Sequence, residues 1–259
     1  MNDKRPVAVF DSGVGGISVL KELYALMPCE NYIYFGDSKN APYGSREPSE
    51  VKELVLKNAF YLASMNVKAL VVACNTATSV AIEDLRRIYD MPVIGVEPAL
   101  KPAVLYKENS VVAVMATPIT VHEAKFKNLM EHYSKRAKII PVACDLLAGY
   151  VEKGIFDGEE IESYIASLFK NCEKVDSVVL GCTHYPFVRP VIEKILGSGV
   201  KIFDGGEGTA RETRRRLEEE KILKTDGEKG SVIFLNSLMS KKEEAFSKML
   251  FEKSAGALL

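Results

Sequence analysis

Five cysteines are spread along the 259 residues, and two of them share a context. Cys74 closes the apolar run Ala69–Ala73 and leads into the polar stretch Asn75-Thr76-Ala77-Thr78. Cys182 follows Val178–Leu180 and Gly181, and leads into Thr183-His184-Tyr185-Pro186. A thiol between a strand end and a helix start lies near unpaired amides, whose partial positive charge favours the thiolate. The plain reading of each is a buried, inert thiol, because cysteine is among the most buried residue types. Two thiols in matching places admit a sharper reading. Inverting a carbon without net redox change requires a proton to leave one face and another to arrive on the opposite face. Two opposed groups, one deprotonated and one protonated, do this and exchange roles for the reverse direction. Cysteine suits the task because its ordinary pKa, about 8.5, needs only modest tuning.

Other residues near these thiols have chemistry to offer. His184 could stabilise a Cys182 thiolate, exchange its proton or bind a carboxylate. Asp11 ends the first apolar run and opens Asp11-Ser12-Gly13-Val14-Gly15-Gly16, a tight turn with exposed amides suited to an anion. Serine, threonine and asparagine hydroxyls and amides would hold carboxylates and stabilise a developing carbanion. A competing reading takes Gly13-x-Gly15-x-x-Ser18 as a dinucleotide fingerprint, with Asp37 as the ribose-binding acid about 20 residues on. That match is poor: Ser18 replaces the third small residue, and Asp11 would set negative charge beside a pyrophosphate. The stretch Tyr34–Ser45 reads either as a turn built on Pro42 and Gly44 or as a wall of a cleft.

The elements that must position these residues alternate in type. Short β-branched runs over Val7–Phe10, Tyr32–Phe35, Ala69–Ala73, Val93–Val96, Val111–Met115, Ile139–Pro141, Val178–Leu180, Lys201–Phe203 and Val232–Leu235 predict strands. Amphipathic stretches over Ile17–Leu26, Glu50–Met65, Thr78–Tyr89, Ala124–His132, Gly158–Lys170, Pro190–Leu196, Thr209–Leu223 and Lys242–Phe251 predict helices. Such alternation specifies α/β units around mostly parallel sheets. The run Arg214-Arg215-Arg216, followed by Glu218-Glu219-Glu220, reads as a solvated helix face with internal ion pairs rather than a nucleic-acid site. A weak repeat divides the chain: Val7–Ser12 resembles Val112–Thr117 at a spacing of 105, and Cys74 precedes Cys182 by 108. Two similar Rossmann-like halves facing each other would set both thiols across one cleft, since ligands sit beyond the carboxyl ends of parallel strands.

Bulk properties narrow the class. With 47% hydrophobic residues the chain can bury roughly three-quarters of its unfolded surface. Basic and acidic residues nearly cancel, 34 against 35, so no long-range field draws it to nucleic acid or a membrane. No uncharged run reaches the about 18 apolar residues a membrane span needs, and Asp11 interrupts any signal-like stretch. The expectation is a cytoplasmic enzyme. The cysteine count is odd, no Cys-x-x-Cys occurs, and His122, His132 and His184 form no metal-type pair. Neither a disulfide framework nor a structural metal is expected, and no lysine stands in a context that demands a pyridoxal Schiff base.

Phe10–Gly16, Tyr34–Asp37, Pro42–Gly44, Ala73–Ala77 and Leu180–Pro186 together resemble the glutamate racemases, within the wider pyridoxal-independent aspartate/glutamate racemase superfamily. Weaker similarity through Pro92–Val96 and Ile202–Gly208 extends the resemblance over most of the chain. It implies two similar α/β domains, 1–97 with 209–259 and 98–208, enclosing the site between them. It implies that Cys74 and Cys182 are the acid–base pair, with Cys74 taking the proton of the D-isomer and Cys182 that of the L-isomer. Asp11 would assist near Cys74 and His184 near Cys182, while Glu152 matches a position linked to the second thiol. Asp11, Ser12, Pro42, Tyr43, Gly44, Asn75, Thr76, Thr117, Thr120, Thr183 and His184 would line the glutamate site. The implied role is D-glutamate supply for peptidoglycan, by an enzyme that commonly forms homodimers. Two departures stand out: Pro118 follows Ala116-Thr117 and removes an amide donor, and Gly205 stands where serine is frequent. The alternatives are a racemase of the same superfamily acting on aspartate, a nicotinamide-dependent oxidoreductase, and a non-catalytic glutamate-binding module.

Overall fold

Strand β1 (Val7–Asp11) has no exposed face, and the same holds for β2 (Tyr32–Gly36) and β3 (Ala69–Val72). Strands covered on both sides read as continuous apolar runs, and here they pair in parallel. The computed structural model describes residues 3–253. With β4 (Val93–Gly95) and β9 (Val232–Asn236) these strands form a five-stranded sheet of order β4-β3-β1-β2-β9. A second, four-stranded sheet has the order β6-β5-β7-β8, from β5 (Val111–Ala116), β6 (Lys138–Ala143), β7 (Ser177–Leu180) and β8 (Lys201–Asp204). All pairings in both sheets are parallel. Counted from its first strand, each sheet runs fourth-third-first-second, so the weak repeat in the sequence is a topological repeat. β9 extends the first sheet beyond β2. The sheet order makes β6 an edge strand, which accommodates Pro141, a residue with no N–H to give a neighbour.

Helices cover the faces: α1 (Ile17–Leu26), α2 (Pro48–Ala63), α3 (Asn75–Ile88), α4 (Leu100–Tyr106), α5 (Pro118–His122), α6 (Ala124–Tyr133), α7 (Leu147–Glu152), α8 (Glu159–Phe169), α9 (Arg189–Leu196), α10 (Gly206–Glu219) and α11 (Lys241–Glu252). The short helices α4, α5 and α7 are absent from the sequence prediction, because one or two turns show no measurable period. α10 packs on α1 through a buried face that includes Ala210 and Leu217. Its charged face carries ladder pairs Arg214–Glu218 and Arg215 with Glu212 and Glu219, as its charge pattern predicted. One core cluster joins α1 and β1 of the first sheet with β7 and α9 of the second. Among the described residues, no helix is long and apolar enough to cross a membrane.

Candidate active site

Cys74 is the N-cap of α3, one residue before the helix begins, where extended backbone turns its sulfur toward the first amides. Its Sγ accepts the Ala77 N–H at 3.4 Å, and its own proton points at Ser12 Oγ, 3.7 Å away. The helix start was expected to favour a thiolate. The structure reverses this: burial pushes the Cys74 pKa well up, the charge of Asp11 adds to it, and the Ala77 amide only partly opposes them. Cys74 is therefore held as a proton donor.

Cys182 has a different escort. His184 Nδ1 lies 3.6 Å from its sulfur, and His184 Nε2 lies 2.5 Å from Glu152 Oε1. The same Glu152 oxygen accepts the Val14 N–H from the first half at 2.9 Å. Burial disfavours an imidazolium here, but the hydrogen bonds to Cys182 and Glu152 outweigh it and hold the His184 pKa well above its ordinary value. Glu152 ends α7, and it is the last link of a chain that presents a positively charged N–H to Cys182.

The glycine turn is a docking surface rather than an open anion cradle. A Cβ on Gly13 would stand 1.8 Å from Glu152 Oε1, and one on Gly15 would stand 2.3 Å from His184 Nδ1. The second half occupies the space a pyrophosphate would need. Asp37 is equally unsuited to a ribose: it is buried and accepts from the Tyr43 hydroxyl at 2.6 Å and from Asn58 at 2.9 Å. These contacts remove the structural basis of the dinucleotide reading.

Asp11 is fully buried, with Oδ1 accepting the Gly13 N–H at 2.8 Å and Oδ2 the Thr183 hydroxyl at 3.0 Å. Burial raises its pKa, and the charge of His184 pulls it back down. Thr76 meets Thr117 and Thr120 across the junction, with oxygen separations of 3.1, 3.3 and 2.9 Å around the triangle. Pro118 does not disturb this wall. It stands in the first turn of α5, where an amide has no partner within the helix, and Thr117 takes the cap position. Gly205 abuts the other half: a Cβ there would lie 2.4 Å from the Glu97 carbonyl oxygen, so serine does not fit this backbone. Asn75 is buried beside Cys182. Pro42 precedes a 3-10 turn at Tyr43–Ser45, where the Tyr43 hydroxyl turns away toward Asp37. Sequence reasoning missed three supports. Ser18 donates to the Thr183 carbonyl at 2.8 Å, Tyr34 donates to the Gly13 carbonyl at 2.7 Å, and the Val14 amide holds Glu152. Nothing local in the sequence marks them.

Cys74 and Cys182 lie close enough for their charges to repel. The space beside Cys182 is a crevice of about 10 Å³, whereas a larger concavity, about 1140 Å³, lies on the far side of Asp204 and Gly205 and touches neither thiol. Room does not locate the chemistry here; the polarised thiols do. The family model for Asp/Glu/Hydantoin racemases matches residues 19–213. The chain belongs to this family. Within it, the chain is 50% identical over 253 residues to a glutamate racemase of Clostridium botulinum, covering 96% of this chain and 98% of the relative. A glutamate racemase isoform of Bacillus anthracis superposes with a TM-score of 0.87 at 29% identity, covering 97% of this chain and 96% of that one. The glutamate racemase of Francisella tularensis, solved in complex with D-glutamate, superposes with a TM-score of 0.84 at 28% identity, covering 97% and 95%. By family the chain is a racemase, and so an isomerase.

Proposed function

We propose that this racemase interconverts L- and D-glutamate without a cofactor, using Cys74 and Cys182 as opposed acid and base. The observation that carries the reading is the unequal equipment of the two thiols in one enclosed junction. His184, kept protonated, offers a positive N–H to Cys182, which suits Cys182 to act as base. Cys74, held as a thiol, is suited to act as acid. In the direction this state favours, the Cys182 sulfur takes the α-proton and the electron pair passes into the adjacent carboxylate. The Cys74 proton then arrives on the opposite face, leaving the roles exchanged for the reverse reaction. By family likeness this is the L-to-D direction. Asp11 serves the Cys74 side, Glu152 steadies His184, and Ser12, Asn75, Thr76, Thr117, Thr120, Thr183 and the backbone at Pro42, Tyr43 and Gly44 hold the carboxylates and amine.

The same reading includes domains divided near residues 97 and 209, whose outer ends (1–2 and 254–259) lie outside the described residues. It also includes a cytoplasmic location, D-glutamate supply for peptidoglycan, and a homodimer that sedimentation would detect. The decisive test is α-proton exchange in heavy water without added cofactor. Wild type should wash deuterium into both enantiomers. Cys74→Ser and Cys182→Ser should each lose racemisation by about 10²- to 10⁴-fold, the range for a positioned acid or base. Each should keep exchange of one enantiomer only, because the remaining thiol serves one face. Inert glutamate with exchanging aspartate would instead favour the aspartate reading, and retention of full racemisation by both variants would end the two-thiol mechanism.

A further inference from the structure

Asp37 has no part in that mechanism, yet it is among the most heavily engaged side chains in the first half. It follows β2 directly, and its backbone N–H donates to the Asp11 carbonyl at 3.0 Å, tying it to the strand end that carries the site's buried carboxylate. Its side chain is 1% exposed, and Oδ2 accepts from three groups: the Tyr43 hydroxyl at 2.6 Å, Asn58 Nδ2 at 2.9 Å and Asn40 Nδ2 at 3.1 Å. Asn40 also donates to Oδ1 at 3.0 Å. Asn58 reaches in from α2 and lies 3.1 Å from the Tyr43 oxygen as well. A carboxylate satisfies this set with both oxygens, whereas an amide would turn its own N–H against Asn40 Nδ2 or, flipped, against Asn58 Nδ2. The Tyr43 ring packs on Phe10 of β1, 6.3 Å between centroids, so ring and hydroxyl are both fixed. The next residue, Gly44, stands so close to the second half that a Cβ would lie 2.7 Å from Thr117 Cβ.

We propose that Asp37, together with Asn58, is the positioning residue that fixes the Tyr43–Gly44 turn as a substrate wall against Thr117. The inference rests on the glutamate reading above and deepens it. Asp37 touches no reacting atom. It sets where the first N–H groups of the 43–45 turn point, and those donors have no partner within the turn itself. A loosened wall weakens the hold on substrate and leaves the thiols as they were. The signature is a rise in KM with turnover preserved in both directions. Because enantiomers are equal in free energy, kcat/KM must fall equally for both, so the separate kcat values carry the information.

The test uses Asp37→Asn, Asn58→Asp and the double variant in the full-length enzyme. Asp37→Asn sets amide against amide, and Asn58→Asp sets carboxylate against carboxylate. Each should raise KM for both enantiomers by about tenfold, the loss of one charge-assisted hydrogen bond, with kcat little changed. The double variant exchanges donor for acceptor. Its amide, now on the β2 side, can give an N–H to the carboxylate now on α2, and the Tyr43 hydroxyl can donate to that same carboxylate. It should recover most of the lost KM. Hydrogen exchange over residues 37–46 should quicken in each single variant and slow again in the double. Unchanged KM in the single variants, a fall in kcat with KM constant, or a double variant no better than the worse single would overturn the proposal. If wild type exchanges no α-proton of glutamate, it is the functional reading that fails, and the hydrogen-exchange arm still reports whether Asp37 orders the turn.

Discussion

His184 sits where an imidazole would normally be driven neutral, and the residues around it reverse that outcome. Burial opposes the charge, while the hydrogen bonds to Cys182 and Glu152 restore it and carry the pKa well above the ordinary value. A group whose folded pKa lies above its unfolded one stabilises the fold fully below the unfolded value, about 6.5 for histidine. That contribution is lost as pH rises through the folded value, so the window lies on the alkaline side. The sequence holds three histidines, which makes labelled imidazole nitrogens easy to follow by NMR. In wild type, the His184 signals should stay those of an imidazolium as pH passes the ordinary range. In Glu152→Gln the partner loses its charge, the midpoint should move down, and the loss of stability should begin at lower pH. A midpoint indifferent to Glu152→Gln would show that Glu152 does not hold the proton on His184. The Cys182–His184 neighbourhood was legible because two chemically useful residues stand two apart after a strand. Val14 and Glu152 were not legible as partners, because 138 residues separate them and one donates only its backbone N–H.

At the scale of elements, the strands were the easiest to read. Every β-branched run became a strand within one or two residues of its predicted ends, and β1, β2 and β3, covered on both sides, have no polar face to blur the pattern. The start of α3 was misread as Thr78 because Asn75 and Thr76 look like caps, whereas the sulfur of Cys74 performs that duty. The ends of the strands divide the work. Carboxyl ends carry Asp11, Cys74 and Cys182, while the amino ends of the first sheet carry a buried ion pair. Lys68, just before β3, lies 2.7 Å from Glu30 Oε2, with neither side chain exposed. Its Nζ also donates to the Asp3 carbonyl at 2.8 Å and the Ile222 carbonyl at 2.7 Å, and Glu30 accepts the Lys224 N–H at 2.6 Å. One ammonium thus joins the chain's beginning, the β3 start and the segment that returns toward β9. Lys68→Met leaves a buried carboxylate unpaired and should cost about 3–5 kcal/mol in urea unfolding. Turnover at saturating glutamate should be unchanged in the folded fraction, because the pair stands at the opposite strand ends from the thiols. A loss near that of a surface pair, at most about 1 kcal/mol, would show that the clamp is dispensable.

For the molecule as a whole, the enclosure of the site demands motion. Cys74 is 5% exposed and Cys182 8%, so neither sulfur is open to solvent, and glutamate should reach both when the halves part. Among the described residues, polar contacts across the junction include Ser18 with Thr183, Thr183 with Asp11, Glu152 with Val14, and the hydroxyl triangle of Thr76, Thr117 and Thr120. A parting at this junction leaves both parallel sheets paired, and such sub-global openings lie below the global free energy. Cys144 supplies the internal reference, because it is 1% exposed at the end of β6 and its thiol turns back to the Val142 carbonyl of its own strand. Iodoacetamide labelling followed by peptide mass spectrometry, across urea concentrations below the unfolding transition, separates the two motions. Absolute rates at Cys74 and Cys182 will differ, because burial and Asp11 hold Cys74 as a thiol. Their dependence on urea should nevertheless be the same and shallow, since one parting of the halves exposes both and denaturant sensitivity scales with surface exposed. Cys144 should label only along the steep global curve. If Cys74 and Cys182 respond with different slopes, the thiols are reached through separate local fluctuations and the two halves do not open as one. If both follow Cys144, no opening short of unfolding admits the reagent, and substrate must reach the thiols by another route.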